Sequence, residues 1–382
     1  MEYRIEELFD LQMGKTPARN NPEFWNSADH KWIAISDLSK CGKYIAETKE
    51  YLSDRAVAES GISLIPQNTV VMSFKLSIGK TAITSEPMYS NEAIMSFQDK
   101  HVTELIPDYV YYLFSGRDWD AGTNKAVMGK TLNKATLSKM TIRVHSIDKQ
   151  KEIVDNLDRI RSLIEKRQKE LNELDTLIKA RFVEMFGDPE TNTKGWKKEL
   201  LQNHADVMVG YPFSSEGYTD SGIRIVGGYN LMQGFILWEE SKHWPDSDGY
   251  EQFLLRDNDI VMAMDRPWVN GGFKIARIDL AHLPALLIQR TACIRSKDMT
   301  QEFLYYLLDS KRFAEHCNIT GSLVPHISNK DINSFCVIVP PLEEQKRFSI
   351  FVQQVDKSKA VIQKALDETQ LLFDSLMQEY FG

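Results

Sequence analysis

Between about Ile147 and Gly187, apolar residues recur at alternating spacings of three and four, with polar residues between them. This periodicity is typical of a long α-helix with a narrow apolar seam of the coiled-coil kind. We place the helix start at Asp148, a good capping residue, and its end at Gly187, which Pro189 follows. The seam is interrupted once, at Arg167. The seam residues are Ile153, Leu157, Ile160, Ile164, Leu171, Leu174, Ile178, Phe182 and Met185.

The segment 343–382 carries a second seam of the same kind. A shift of 195 residues places Ile153 on Phe348 and Leu157 on Val352, and it places the Glu-Met-Phe-Gly run that ends at Gly187 on the Glu-Tyr-Phe-Gly run that ends the sequence. Two long helices that superpose over this length indicate a duplicated chain. The second seam consists of Phe348, Val352, Val355, Ile362, Leu366, Phe373, Met377 and Tyr380.

The segments in front of the two helices also repeat. In the first, β-rich runs at Trp32–Ser36 and Thr69–Phe74 and a helix predicted from Pro107 to Phe114 indicate mixed α and β structure. Their order recurs in the second segment, where Val209–Gly210 corresponds to Met13–Gly14. We predict a first domain at 1–146, a central long helix at 147–187, a second domain at 188–342 and a C-terminal long helix at 343–382.

The predicted fold class is therefore α+β, with two repeated mixed α/β domains separated by two long helices. If the helices pack along their seams as an antiparallel coiled coil, the two domains are related by a pseudo-two-fold axis. Each helix would be roughly 57 Å long at 1.5 Å per residue. Such a geometry is that of a spacer.

Composition adds limits to this prediction. The net charge of −8 and the pI near 5.6 argue against a generally basic nucleic-acid binder, although the segment 121–147 contains five basic residues and no acidic one. The four cysteines are scattered and form no Cys-x-x-Cys pair. The charged start and the lack of a long apolar run predict a cytoplasmic protein with no membrane contact.

Three stretches carry a resemblance to a known family. They are the run from Gly321 to Ile332, the run from Val337 through Pro340-Pro341-Leu342 to Lys346, and the run from Arg181 to Pro189 followed by Gly195-Trp196. Together they resemble the DNA-specificity (HsdS-type) subunits of type I restriction-modification systems, and the resemblance covers the whole chain. One departure is the first junction, Val144–Gln150, which keeps the glutamine but lacks the paired prolines.

The resemblance implies a subunit without catalysis of its own. Each domain would be a target-recognition domain that reads one half of a bipartite double-stranded DNA sequence. The coiled coil would set the half-site spacing and dock two modification (methyltransferase) subunits, with restriction/translocase subunits in the full complex. No cofactor is expected on this chain, because S-adenosylmethionine, ATP and Mg would belong to the partner subunits.

Two other classes of function remain as alternatives. A protein–protein adaptor with repeated peptide-binding domains fits the acidic net charge slightly better. A free-standing methyltransferase or nuclease is disfavoured: the loop at Asn21–Phe24 resembles the Asn-Pro-Pro-Phe loop of adenine methyltransferases, but Glu23 replaces the second proline and no glycine-rich nucleotide loop precedes it. The histidines show no metal-ligand spacing, and no metal site is predicted.

Base reading requires arginine or lysine for guanine, asparagine or glutamine for adenine, and apolar groups for thymine. In the first domain, candidates between predicted strands are Lys15, Arg19, Asn20, Asn21, Lys75, Ser77, Lys80, Lys125, Lys130, Asn133 and Lys134. In the second, they are Tyr211, Ser214, Ser215, Tyr229, Asn230, Arg266, Trp268, Asn270, Lys274, Arg290, Ser322, His326 and Lys330.

Two loops concentrate this chemistry, Asp265–Asn270 and Met128–Lys134. We expect Lys134 and Lys330 to contact phosphate, because they lie just before an apolar strand or helix and not at a loop tip. Arg167 at the seam could fix the register of the helices, as polar residues do in coiled coils, or could lie at an end of the helix contact.

Overall fold

The structure is a computed structural model and describes residues 1–75, 77–119, 124–126, 129–269, 272–317 and 326–382. The chain divides into two compact units. Unit 1 consists of Met1–Gln168 and Lys364–Gly382, and unit 2 of Lys169–Gln363. Each unit contains one predicted domain with parts of both long helices.

Unit 1 is built on a five-stranded sheet of order β2-β9-β6-β7-β4 and a three-stranded sheet of order β5-β3-β8. Two further pairs are β1-β12 and β10-β11. The strands are β1 (Glu2–Arg4), β2 (Phe9–Met13), β3 (His30–Ile33), β4 (Tyr44–Ile45), β5 (Glu50–Leu52), β6 (Val70–Ser73), β7 (Thr81–Thr84), β8 (Tyr89–Ser90), β9 (Ile94–Asp99), β10 (Asn124–Ala126), β11 (Gly129–Thr131) and β12 (Thr141–Arg143).

Five short helices lie among these strands, and the helix from Pro107 agrees with the sequence prediction. One predicted strand is shorter than expected: β3 ends at Ile33, and the chain turns into a helix because Asp37 accepts a hydrogen bond from Ala34 N at 2.8 Å. The helices are α1 (Ile5–Leu8), α2 (Ile35–Leu38), α3 (Asp54–Ser60), α4 (Pro107–Ser115) and α5 (Lys134–Lys139).

The core of unit 1 lies between the larger sheet, α4 and the long helices. All four residues of β6 are buried, as expected of a central strand covered on both faces. Phe97 and Phe114 meet edge to face with ring centroids 4.6 Å apart. Ile153 of the central long helix is fully buried in the same core.

Unit 2 repeats this plan. Its four-stranded sheet has the order β14-β22-β17-β20, which matches β2-β9-β6-β7 of unit 1, and its three-stranded sheet has the order β16-β15-β21. The pairs β13-β23 and β18-β19 complete the described strands. They are β13 (Lys197–Leu200), β14 (Ala205–Val209), β15 (Ile223–Val226), β16 (Lys242–Trp244), β17 (Ile260–Ala263), β18 (Trp268–Val269), β19 (Gly272–Phe273), β20 (Ile275–Arg277), β21 (Ala285–Leu287), β22 (Thr291–Ser296) and β23 (Cys336–Val339).

The two long helices are α6 (Ile147–Phe186) and α10 (Leu342–Phe381); unit 2 also contains α7 (Gln301–Leu308), α8 (Lys311–His316) and α9 (Asn329–Ser334). Because α6 begins at Ile147, Asp148 lies in its first turn and is not the capping residue, which corrects the sequence prediction. Together with the repeated sheets, the long helices confirm the predicted mixed fold of two repeated domains.

Within each unit the two long helices pack side by side and antiparallel. In unit 1, Asn156 Nδ2 lies 3.3 Å from Tyr380 Oη, and Arg167 Nη1 donates to Ala365 O at 2.5 Å. Arg167 also donates to Thr369 Oγ1, so the seam interruption is a polar contact between the helices. In unit 2, Phe182 packs against Phe348 with centroids 5.4 Å apart.

Candidate nucleic-acid interface

A glycine directly follows β2 in unit 1 and β14 in unit 2, and neighbouring main-chain atoms leave no room there for a side chain. A Cβ atom on Gly14 would lie 2.1 Å from Ser90 O, and one on Gly210 would lie 2.1 Å from Ile288 O. The next residue bonds to the last residue of a strand of the smaller sheet in both units, Lys15 N to Ser90 O of β8 at 2.8 Å and Tyr211 N to Leu287 O of β21 at 3.0 Å. Gly14 and Gly210 therefore mark the same edge of each domain.

The loop that follows β8 in unit 1 (Asn91–Ala93) or β21 in unit 2 (Ile288–Arg290) is called the facing loop. The residue after the central strand, β6 or β17, donates to the last residue of this loop in both units. In unit 1, Phe74 N donates to Ala93 O at 3.0 Å. In unit 2, Met264 N donates to Arg290 O at 2.9 Å. These bonds place Lys75 of unit 1 at the position of Asp265 in unit 2, since each directly follows the strand-end donor. We call the positions 15, 75, 92 and 93, and their counterparts 211, 265, 289 and 290, the edge positions.

Charged groups converge at the edge positions of unit 1. Burial alone would raise the pKa of Glu92, but a hydrogen bond from Thr16 Oγ1 and the positive charges of Lys75 and Arg19 lower it. Lys75 Nζ lies 5.2 Å from the Phe74 ring centroid, and Lys15 donates to Ser60 O. The positive charges of Arg19 and Lys75 therefore act on one carboxylate, that of Glu92, whereas Lys15 bonds to the main chain at Ser60.

The other candidates of unit 1 have local partners. The Arg19 guanidinium lies 3.8 Å from the Trp25 ring and pairs with Glu50, with 3.1 Å from Nη2 to Oε2, so its contacts are internal. Asn21 Oδ1 caps a short 3₁₀ turn by accepting from Glu23 N at 3.1 Å. Lys80 Nζ donates to Ser39 Oγ at 2.5 Å.

Lys134 and Lys330 lie in the first turns of equivalent short helices. Asn133 caps α5 by accepting from Thr136 N at 2.7 Å, and Ser328 caps α9 by accepting from Asp331 N at 3.2 Å. Both lysines are exposed. An exposed lysine at a helix start is a favourable arrangement for a phosphate.

In unit 2 the edge positions 265, 289 and 290 border an open cleft with a volume of about 650 Å³. Four predicted residues line it, namely Tyr229, Arg266, Lys274 and Arg290. Lys274 Nζ donates to Gly228 O at 2.6 Å. Burial lowers the pKa of Lys274. The cleft is lined by Gly228, Tyr229, Asp265, Arg266, Lys274, Ile288, Gln289 and Arg290.

Asp265 joins three segments of the chain in this cleft. Its carboxylate pairs with Arg290 Nε at 3.2 Å and with His326 Nδ1. His326 and Arg290 are exposed, whereas two thirds of the Asp265 side chain is covered. The structure thus brings His326 to the predicted loop at Asp265, although the two residues are far apart in sequence.

Asn230 does not belong to the interface, which corrects the prediction from sequence. Its side chain is fully buried, its Oδ1 accepts from Gly227 N at 2.9 Å, and its Nδ2 donates to Ile225 O and Ser241 Oγ. All of its hydrogen-bonding capacity toward a base is used inside the fold.

The neighbouring tyrosine and serine candidates are partly structural. Tyr229 Oη donates to Ile225 O at 2.9 Å, and burial raises its pKa to about 12. Tyr211 packs against Tyr250 with ring centroids 4.9 Å apart. Ser214 caps a short 3₁₀ turn, and Trp268 is 37% exposed.

Part of the predicted set lies outside the described residues, namely Asn270 and Ser322. The main chain of Lys125 and Lys130 belongs to the β10-β11 hairpin, but their side chains are outside the described part of the chain. Sequence reasoning missed Glu92, which no periodicity marks. The strand register in the structure, and not the 195-residue shift, shows that position 92 corresponds to Gln289, next to Arg290.

The described residues limit other chemistry in two ways. Within the described ranges, no group of three or more His, Cys, Asp or Glu residues is arranged to hold a metal ion. None of the helices in those ranges is both long enough and apolar enough to cross a membrane.

The chain is similar in sequence to specificity subunits of type I restriction enzymes. Over 193 residues it is 33% identical to the specificity subunit of the type I restriction enzyme EcoAI of Escherichia coli. This aligned part makes up 48% of this chain and 33% of that protein. The MjaIX specificity subunit of Methanocaldococcus jannaschii is 22% identical over 98% of this chain and 90% of its own length.

Solved structures share the fold. The S subunit of a type I restriction-modification system from M. genitalium aligns over 100% of this chain and 96% of its own, with a TM-score of 0.56 and 14% identity. A chain from a structural study of complex assembly in a type I R-M system aligns with a TM-score of 0.58 and 15% identity, over 100% and 97% of the two chains. The type I restriction modification DNA specificity domain matches residues 1–176 and again 197–369, and this chain belongs to that family.

Proposed function

We propose that this chain is the DNA-recognition subunit of a type I restriction-modification assembly. Each domain reads one half of a bipartite double-stranded target, and the paired long helices set the separation of the halves. The chain contributes recognition and scaffolding, and its partners contribute catalysis. The relatives from the EcoAI and MjaIX systems are specificity subunits of type I restriction enzymes, which supports this assignment.

One observation carries the proposal: the two units share a main-chain framework at the edge positions but present different side chains there. Lys15 corresponds to Tyr211, and Lys75 corresponds to Asp265. Duplication of a scaffold with divergence of its exposed groups is the arrangement needed to read two different half-sites with one fold.

Local charge reconciles the proposal with the acidic chain. The net charge is −8, yet the cleft of unit 2 is lined by Arg266, Lys274 and Arg290 against the single carboxylate of Asp265. Cations at this edge would contact base edges and nearby phosphates, and Lys134 and Lys330 would contact phosphate. This concentration of positive charge favours DNA over the peptide partner of an adaptor.

The partners and cofactors follow from the family. We expect two modification subunits that bind S-adenosylmethionine, and restriction/translocase subunits that use ATP and Mg in the full complex. One structural neighbour comes from a study of complex assembly in a type I R-M system, which supports a multisubunit partner set.

The proposal is tested by reconstituting the chain with the modification subunit of its own system and mapping methylated adenines on random DNA. We expect one bipartite sequence with a fixed spacer. Exchanging residues 1–146 for the first domain of another family member should change one half-site and leave the other unchanged. A methylation pattern without sequence preference, or a change in both half-sites, would contradict the proposal.

A further inference from the structure

Arg290 has an unusual main-chain conformation at the edge of unit 2. Its φ is 63°, in the left-handed region that residues other than glycine and asparagine rarely adopt. Its counterpart in unit 1, Ala93, is not among the described residues with positive φ. Strained residues of this kind persist where the surrounding structure holds them, and they concentrate at functional sites.

The side chain of Arg290 is held at one point and otherwise open. Its Nε pairs with Asp265 Oδ2 at 3.2 Å, and 72% of the side chain is exposed. Within the described part of the chain, this ion pair is the one polar contact of its guanidinium. The two terminal amino groups, which form the planar fork, therefore have no partner among those residues.

Asp265 is fixed from two sides. Oδ2 pairs with Arg290, and Oδ1 pairs with His326 Nδ1. A carboxylate that reads a base accepts a hydrogen bond from the cytosine amino group, and it needs an oxygen available to accept it. Both oxygens of Asp265 are already engaged, so its chemistry is that of a positioning residue.

We propose that Arg290 reads a guanine in the half-site recognised by unit 2, and that Asp265 holds it in position. The guanidinium fork matches the O6 and N7 acceptors of guanine in the major groove, and a carboxylate on Nε directs the fork outward. This inference rests on the proposed function and assigns one base contact within it.

In unit 1 the cation of this main-chain framework is Lys75 at the strand end, whereas in unit 2 it is Arg290 in the facing loop. The strand-end position carries Lys75 where unit 2 has Asp265, and the facing loop carries Glu92 and Ala93 where unit 2 has Gln289 and Arg290. The donor thus projects from the strand end in unit 1 and from the facing loop in unit 2. The two units should then prefer different half-sites.

Other cleft residues are weaker candidates for this contact. Lys274 donates to Gly228 O, and the Tyr229 hydroxyl is bonded to Ile225 O and Lys242 N. Arg266 is exposed and also has a positive φ, of 46°, so it is the residue against which Arg290 must be tested.

The experiment compares wild type with R290A, R290K, D265N and R266A, each reconstituted with the modification subunit. Methylation is measured on a DNA library randomised at both half-sites. R290A should lose preference for guanine at one position by about 5- to 100-fold and keep the other half-site unchanged. R290K should lose it too, because lysine lacks the fork. D265N should weaken the preference at that same position.

Several results would overturn the inference. One is unchanged preference in R290A and R290K, and another is loss of that preference in R266A alone. A uniform loss of methylation across all sequences, with a salt dependence reduced by about one charge, would make Arg290 a phosphate contact. If the thermal unfolding curve shows that R290A does not fold, the guanine preference of R290K decides whether the inference stands. Absence of any bipartite preference in wild type would instead refute the proposed function.

Discussion

Lys43 Nζ lies 2.6 Å from Asp158 Oδ1 and 2.8 Å from Oδ2, so a residue at the sheet edge of unit 1 is tied to the long helix α6. The same ammonium lies 2.5 Å from Asp108 Oδ1 in the first turn of α4. Unit 2 contains a similar cluster, in which Arg277 lies 2.5 Å from Asp356 of α10 and 3.9 Å from Glu302 of α7.

These clusters recur although their cations come from different strands. Lys43 directly precedes β4, whereas Arg277 ends β20, which corresponds to β7. Each cation joins a carboxylate on the short helix to a carboxylate on a long helix. In both units the clusters therefore fix the recognition domain to the long helix that it packs against.

Replacing Lys43 by Met should destabilise unit 1. The Lys43 side chain is only 12% exposed, and the loss of its ammonium leaves Asp108 and Asp158 close together without a cation. We expect a decrease of about 1–3 kcal/mol in the free energy of unfolding, measured in urea. The control is K149M, which removes an exposed pair with Glu152 and should cost less than about 0.5 kcal/mol. Equal effects would contradict the role of Lys43.

Asn230→Ala should affect stability and not target choice. The substitution leaves Gly227 N and Ser241 Oγ without their buried partner and removes one of the two donors to Ile225 O, at a cost of about 2–3 kcal/mol. Thermal unfolding should show the loss, while the methylated sequence stays the same at permissive temperature. A normally stable variant with an altered half-site would return Asn230 to the interface.

Gly14→Ala should distort the edge of unit 1. The new methyl group would lie 2.1 Å from Ser90 O, so the main chain must move, at a cost of about 1–3 kcal/mol. Gly42→Ala is the control, because its Cβ would approach no heavy atom closer than 3.9 Å, from Arg161. The free energy of unfolding and the first half-site should change in the former variant only. Equal stability of both variants would show that the edge can relax.

The capping residue Asp331 should make stability depend on pH in the acid range. Hydrogen bonds from Ser328 lower the pKa of its carboxyl below the ordinary value. The contribution is therefore present above the unfolded pKa of about 3.9 and is lost as the pH falls through the folded pKa. D331A should cost about 1 kcal/mol at pH 7 and almost nothing near pH 2. The exposed residue Asp257 supplies the control, D257A, which should cost little at either pH. A cost of D331A that does not change with pH would contradict the capping role.

The sequence by itself determined the duplication, the two long helices, the mixed α/β class and the family. These features depend on local periodicity: Ile153, Leu157 and Ile178 must face a partner because the helix repeat puts them on one side, and all three are buried. A repeat of 195 residues then carries the same interpretation to the second half. The cap at Asp148 was wrong because helix ends depend on one or two residues and not on a period.

Only the tertiary structure decided which polar residues are available to DNA. Asn230 and Arg290 both lie in polar loops, yet one is fully buried and the other largely exposed. Asp265 lies just after β17, Arg290 just before β22 and His326 just before α9, and these three chain segments converge on one edge. No spacing along the chain encodes that convergence, since it depends on how distant strands pair and how the loops between them close.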